Sequence, residues 1–99
     1  MLDIDRLKPV ISALCSRLRV KRLDIFGSAT TDRFGPESDV DAIVLFEPGG
    51  DGLFDRYFEL KEGLELILSR KVDLITAGSV KNPYFKQQID RTKTNVYAA

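Results

Sequence analysis

Histidine is absent from this 99-residue chain. That excludes His-based triads, His-ligated zinc and imidazole acid–base catalysis. A single cysteine, Cys15, permits no intrachain disulfide and is expected to be a small buried thiol. No apolar run reaches membrane-spanning length and the N-terminus has no signal-peptide pattern. A cytoplasmic protein with no membrane association is therefore expected. An excess of one charge is missing too, since 15 Lys plus Arg balance 15 Asp plus Glu. Broad nucleic-acid binding favours a basic surface, so nucleic acid is not an expected partner. Any chemistry must come from carboxylates, hydroxyls, cations and bound metal. The length suits a single domain over residues 1–99.

What is present has a clear order. Ile4, Leu7, Ile11, Leu14 and Leu18 recur at helical spacing. Asp3 or Asp5 can cap that helix, and Pro9 is tolerable only near its first turn. Val20 to Phe26 reads as a buried strand, broken by Gly27 and Ser28, where a short helical turn begins. Asp32 to Ser38, with Gly35-Pro36, is a loop. Asp39 to Phe46 is nearly all apolar after its aspartates, which predicts a strand covered on both faces. A Gly-rich loop leads to a helix over Phe54 to Ser69, with Phe54, Phe58, Leu60, Leu64, Ile67 and Leu68 on its inner side. Lys71 to Thr76 is a third strand. Asn82 caps a last helix from Pro83 to about Arg91, with Pro83 at its first position. Asn95-Val96-Tyr97 can add a short extended piece. Three strands alternating with helices make one sheet with helices packed on it.

Charged residues that interrupt apolar strands carry the functional signal. Side chains alternate along a strand, so Asp39 and Asp41 share a face, their Cα atoms roughly 6–7 Å apart. Such carboxylates can converge on a pair of ions about 3.5–4 Å apart. Asp73 joins them if its strand pairs beside the Asp39 strand. Three close carboxylates repel one another, and bound Mg²⁺, which prefers hard oxygen ligands, removes that penalty. Each aspartate alone also fits a turn cap or a strand end paired with Lys or Arg. A buried strand, however, rarely accepts two unpaired carboxylates.

Gly27-Ser28 adds the second element. A glycine after a strand lets backbone approach a ligand closely, and N–H groups opening a helical turn favour phosphate. The Ser28 hydroxyl supplies one more donor. Alone, the pair is an ordinary turn with Ser28 as its cap. The spacing Gly-Ser, ten residues, Asp-x-Asp is more specific, because the cradle then ends one strand while the carboxylates open the next.

Gly27, Ser28, Asp39, Asp41 and the later Asp73 together resemble the signature of the DNA polymerase β-type nucleotidyltransferase superfamily. The size is similar to its minimal nucleotidyltransferase (MNT) branch, and the match spans about residues 20 to 76. The resemblance implies an α+β nucleotidyltransferase fold, a small mixed β-sheet flanked by helices. It implies two Mg²⁺ ions held by Asp39, Asp41 and Asp73, which also form the catalytic set. It implies a nucleoside triphosphate substrate, ATP by expectation, bound at Gly27 and Ser28. A HEPN-type helical partner is implied as well, a tyrosine of which is adenylylated within a toxin–antitoxin pair. Many minimal relatives carry Arg-Gly shortly after Gly-Ser, whereas this chain has Ala29-Thr30-Thr31-Asp32-Arg33. Arg33 is one candidate for the missing cation. Two other readings stand beside the enzyme: an antitoxin acting by contact alone, and nucleotidyl transfer to a small molecule such as an aminoglycoside. A homo-oligomer is left open. Tyr57, Tyr84 and Tyr97 fit either a partner interface or the edge of the core.

Overall fold

The computed structural model describes residues 3–30, 35 and 38–99. Helix α1 (Ile4–Arg17) is capped by Asp3, whose carboxylate accepts from the Arg6 N–H at 3.4 Å. Pro9 lies inside α1, past the free first-turn amides, so its ring removes one interior bond. Strand β1 (Val20–Phe26) follows, and a 3-10 turn (Gly27–Thr30) closes it. Strand β2 (Val40–Phe46), helix α2 (Leu53–Leu68) and strand β3 (Val72–Thr76) form a parallel crossover unit. A second 3-10 turn, Ala77–Ser79, leads to helix α3 (Pro83–Thr92). Asn82 caps α3, its side-chain oxygen accepting from the Tyr84 N–H at 2.9 Å.

The expectation of three strands needs correction. The tail forms strand β4 (Thr94–Ala98), which pairs antiparallel with β1. The sheet is mixed, in the order β3-β2-β1-β4. Only Val96 of β4 is buried. With a single apolar anchor in five residues, this strand owes its place to backbone pairing more than to an apolar pattern.

The core lies on one face of the sheet. Val20, Leu23, Ile25, Val40, Ala42, Val44, Val72, Leu74 and Val96 pack there against Ile11, Cys15 and Leu18 of α1 and its C-cap, and Leu60, Leu64 and Leu68 of α2. Cys15 is fully buried, and burial pushes its thiol up to about 12, which fits an inert core role. Tyr57 and Tyr97 pack at the edge of this core, whereas Tyr84 is exposed. Among the described residues, no helix is long and apolar enough to cross a membrane.

The inner face of α2 is narrower than its apolar pattern suggests. Phe54 and Phe58 are 74% and 42% exposed, their rings tilted against each other at 4.7 Å between centroids. They sit about one turn apart on a flank, not on the Leu60–Leu64–Leu68 stripe. The helix packs close to α1 where Gly63 lies, since a Cβ there would stand 2.6 Å from Leu14 Cδ2. Gly63→Val should cost about 1–3 kcal/mol by overpacking that contact. Urea denaturation checks it. Combined with Leu14→Ala, the loss should be smaller than the sum of the two single losses.

Candidate active site

The strand register brings the aspartates together. Parallel pairing sets Asp41 of β2 directly beside Asp73 of β3. Asp39 precedes β2 by one residue and lies on the same side of the strand. All three line one open pocket of about 900 Å³, together with Lys61, Glu65, Ser69, Arg70, Lys71 and Val72. Asp39 and Asp73 are exposed and Asp41 is half-buried. Burial, and then the charges of Asp73 and Asp39, hold the Asp41 carboxyl above the usual carboxylate range.

Neighbouring side chains fix this pocket. Arg70 Nη1 donates to the carbonyls of Gly35 at 2.7 Å and Ser38 at 3.2 Å, tying the approach to β2 onto the start of β3. Glu65 accepts the Val72 N–H at 3.0 Å and pairs with Lys61 at 3.4 Å. The Val72 hydrogen bond, with help from Lys61 and Lys71, holds Glu65 below its ordinary value.

Gly27 meets Asp41 from the other side. Its φ is +73°, and a Cβ there would lie 2.8 Å from Asp41 Oδ2. The left-handed backbone favours glycine, and a side chain there would push the Asp41 carboxylate aside. Its N–H donates to Thr92 Oγ1 at 2.9 Å, and that hydroxyl donates in turn to the Gln88 carbonyl at 2.9 Å. The Gly27 amide is thus already engaged. Ser28 occupies the second position of that turn. The Ser28 side chain and Arg33 lie outside the described residues. A second cavity, of about 370 Å³, opens here between Phe26, Gly27, Asp41, Phe85, Gln88, Arg91 and Thr92.

Two features were missed in the sequence. Thr92 fastens α3 to the turn at Gly27, and nothing in the local pattern marks it. Asp24 is a buried carboxylate in β1, 5% exposed, which accepts from Arg22 Nε at 2.9 Å and Asn95 Nδ2 at 3.0 Å. Its charge between Leu23 and Ile25, with Arg22 two residues before, was a readable signal. Asp24 lies in the next row of the same sheet face, opposite Ile43 rather than Asp41.

Among the described residues, no three Asp, Glu, Cys or His side chains close into a metal cluster; the aspartates instead surround an open pocket. Their fit to a divalent cation rests on their chemistry. They are hard oxygen donors without an ion pair among the described residues, and the charges of Asp73 and Asp39 add to burial in raising the proton affinity of Asp41.

The fold and this site define a nucleotidyl-transfer class of protein. Residues 7–93 match the family model described as a nucleotidyltransferase domain, and the chain belongs to that family. A Methanocaldococcus jannaschii chain, provisionally named a protein adenylyltransferase, is 43% identical over 77 residues, 78% of this chain and 77% of its own. Protein adenylyltransferase MntA of Thermococcus cleftensis is 33% identical over 86 residues, 83% of this chain and 85% of its own. A solved structure described provisionally as a minimal nucleotidyltransferase superposes with a TM-score of 0.74 at 27% identity, covering 95% of this chain and 96% of that one. A toxin–antitoxin structure with AMP-PNP has a TM-score of 0.70 at 22% identity, covering 99% of this chain and 75% of that one. The latter speaks for the fold alone. The chain is thus an enzyme of the nucleotidyltransferase class, in the minimal branch, and the α+β fold implied by the resemblance is the one found.

The raised Asp41 gives a signed expectation. In the folded chain Asp41 holds its proton to higher pH than in the unfolded chain. Its favourable contribution is present at acid pH and lost as pH rises through the raised value. Asp41→Asn should therefore raise the urea midpoint of the metal-free protein at pH 7 in EDTA, with the gap shrinking towards pH 3. Gly27→Ala should cost about 1–3 kcal/mol from its left-handed backbone, read in the same titration.

Proposed function

We propose that this chain transfers AMP from ATP to a hydroxyl, a tyrosine of a HEPN-type partner, as the antitoxin of a toxin–antitoxin pair in the cytoplasm. The observation that carries this reading is the Asp41–Asp73 register pair in one pocket with Asp39. The names of the relatives support protein as the acceptor, and the toxin–antitoxin assemblies among its fold neighbours support the partner. The acceptor side of the pocket also continues along α2. Lys61 and Glu65 wall it, and the exposed Phe54 and Phe58 extend the same flank.

In this mechanism Asp39, Asp41 and Asp73 would hold Mg²⁺, which would supply charge neutralisation for the entering and leaving oxygens. Asp73 lies on the acceptor side and accepts the proton of the attacking hydroxyl. The hydroxyl oxygen forms a bond to the α-phosphorus as the bond to the β-phosphate oxygen breaks, and pyrophosphate leaves. Backbone amides of the turn begun by Gly27 and Ser28 hold the departing phosphates.

Contact-only neutralisation is the second reading. It is favoured by Ala29-Thr30 where many relatives carry Arg-Gly, and by the Gly27 amide already bound to Thr92. The test incubates the chain with its co-encoded helical partner, labelled ATP and Mg²⁺. Label should appear on a partner tyrosine, and Asp73→Asn should cut the rate by about 10²–10⁴-fold. Tight complex without label would leave the contact reading. Undiminished transfer by Asp73→Asn would remove the mechanism.

A further inference from the structure

Resting on the nucleotidyl-transfer reading, we infer that Arg91 of α3 is the cation that grips the polyphosphate of the nucleoside triphosphate. Three observations carry it. Arg91 lines the same cavity of about 370 Å³ as Gly27 and Asp41, the cavity on the β1 side of the carboxylates. The bond from the Gly27 N–H to Thr92 Oγ1 fixes the last turn of α3 against the turn that follows β1, so the neighbouring Arg91 is held at that rim rather than free to drift. Finally, Arg91 has no ion pair or hydrogen bond among the described residues, whereas Arg17, Arg22 and Lys93 are committed to carboxylates.

The charge balance of the site requires such a group. A triphosphate beside Asp39, Asp41 and Asp73 brings more negative charge to a region already crowded with it. The described part of the turn after β1, Gly27 to Thr30, contains no cation. Lys61, Arg70 and Lys71 stand on the β3 side, in the other pocket. Among the described residues, Arg91 is the one cation of the β1-side cavity, and guanidinium binds phosphate oxygens in a fixed two-pronged geometry. A basic residue in the last turn of a helix also offsets the helix dipole, so the test must separate a ligand contact from a structural one.

Isothermal titration with ATP, ADP and AMP, each with Mg²⁺ and without partner, makes that separation. Arg91→Ala should weaken ATP by about tenfold to a hundredfold, the loss expected for a charge-assisted contact, while AMP binding stays unchanged. Arg91→Lys should restore part of the ATP affinity. Lys86→Ala removes a cation from the same helix that faces a different cavity, beside Asp24, and should leave ATP binding as it was. Equal ATP affinity in wild type and Arg91→Ala overturns the inference while leaving nucleotidyl transfer standing. Parallel loss of ATP and AMP in Arg91→Ala overturns it in favour of a structural role. Absence of ATP binding by the wild-type chain overturns the inference and the reading beneath it together.

Discussion

Parallel pairing of β2 with β3 is the constraint on which the rest of the molecule depends. Val40, Ala42 and Val44 of β2 and Val72 and Leu74 of β3 all point into the core and are buried. With a side-chain period of two, Asp41 and Asp73 then have no choice but to share the opposite face. A slip of β3 by one residue would drive Asp73 into the core and Val72 and Leu74 out of it. Full burial of one Val or Leu contributes about 1.5–3 kcal/mol. Two like charges 4 Å apart near a surface repel by about 1–4 kcal/mol, depending on solvation. Several buried side chains therefore outweigh one repulsive pair. The apolar core assembles a carboxylate cluster that would not assemble by itself.

Helix α2 does more than connect those strands. Being at the edge of the sheet, β3 has one row of backbone groups without a strand partner. The Val72 N–H donates to Glu65, and the Leu74 carbonyl accepts from the Tyr57 hydroxyl. Both side chains come from α2, so the helix that buries its Leu60–Leu64–Leu68 stripe also blocks the edge from pairing with another chain. Arg70, just beyond the helix, holds the approach to Asp39. One crossover thus sets the register, shields the edge and positions the acidic pocket.

Much of this is legible in the sequence. The apolar runs of β1, β2 and β3 fixed their own extent, and alternation put Asp39 and Asp41 on one face. Asp73 needed one added condition, strand adjacency, which the register meets. Other features were hidden for physical reasons. Strand β4 has one buried residue, so its pairing left almost no hydrophobic trace. Phe54 and Phe58 looked like core because size and apolarity do not say which side of a helix the sheet covers. Asp24 was passed over inside a strand read as apolar, although its partner Arg22 stood two residues away on the same face. Thr92 acts across 65 residues of sequence on Gly27, and no local pattern reports so distant a contact.

Strand order also gives the site a direction. In the order β3-β2-β1, Asp41 stands on the middle strand. Towards β3 it borders the open pocket with Asp73, Lys61 and Lys71; towards β1 it borders the closer cavity with Gly27 and Arg91. In-line displacement at phosphorus needs the entering and leaving oxygens on opposite sides of the reacting atom. A carboxylate serving as the wall between two cavities meets that need, provided the leaving phosphates lie on the β1 side and the acceptor on the β3 side. On the proposed function, a side chain of a folded partner would use the open pocket and a triphosphate the narrower one, where Gly27 lets backbone stand against the Asp41 carboxylate. On the proposed function, the topology that forces the aspartates together would also separate donor from acceptor.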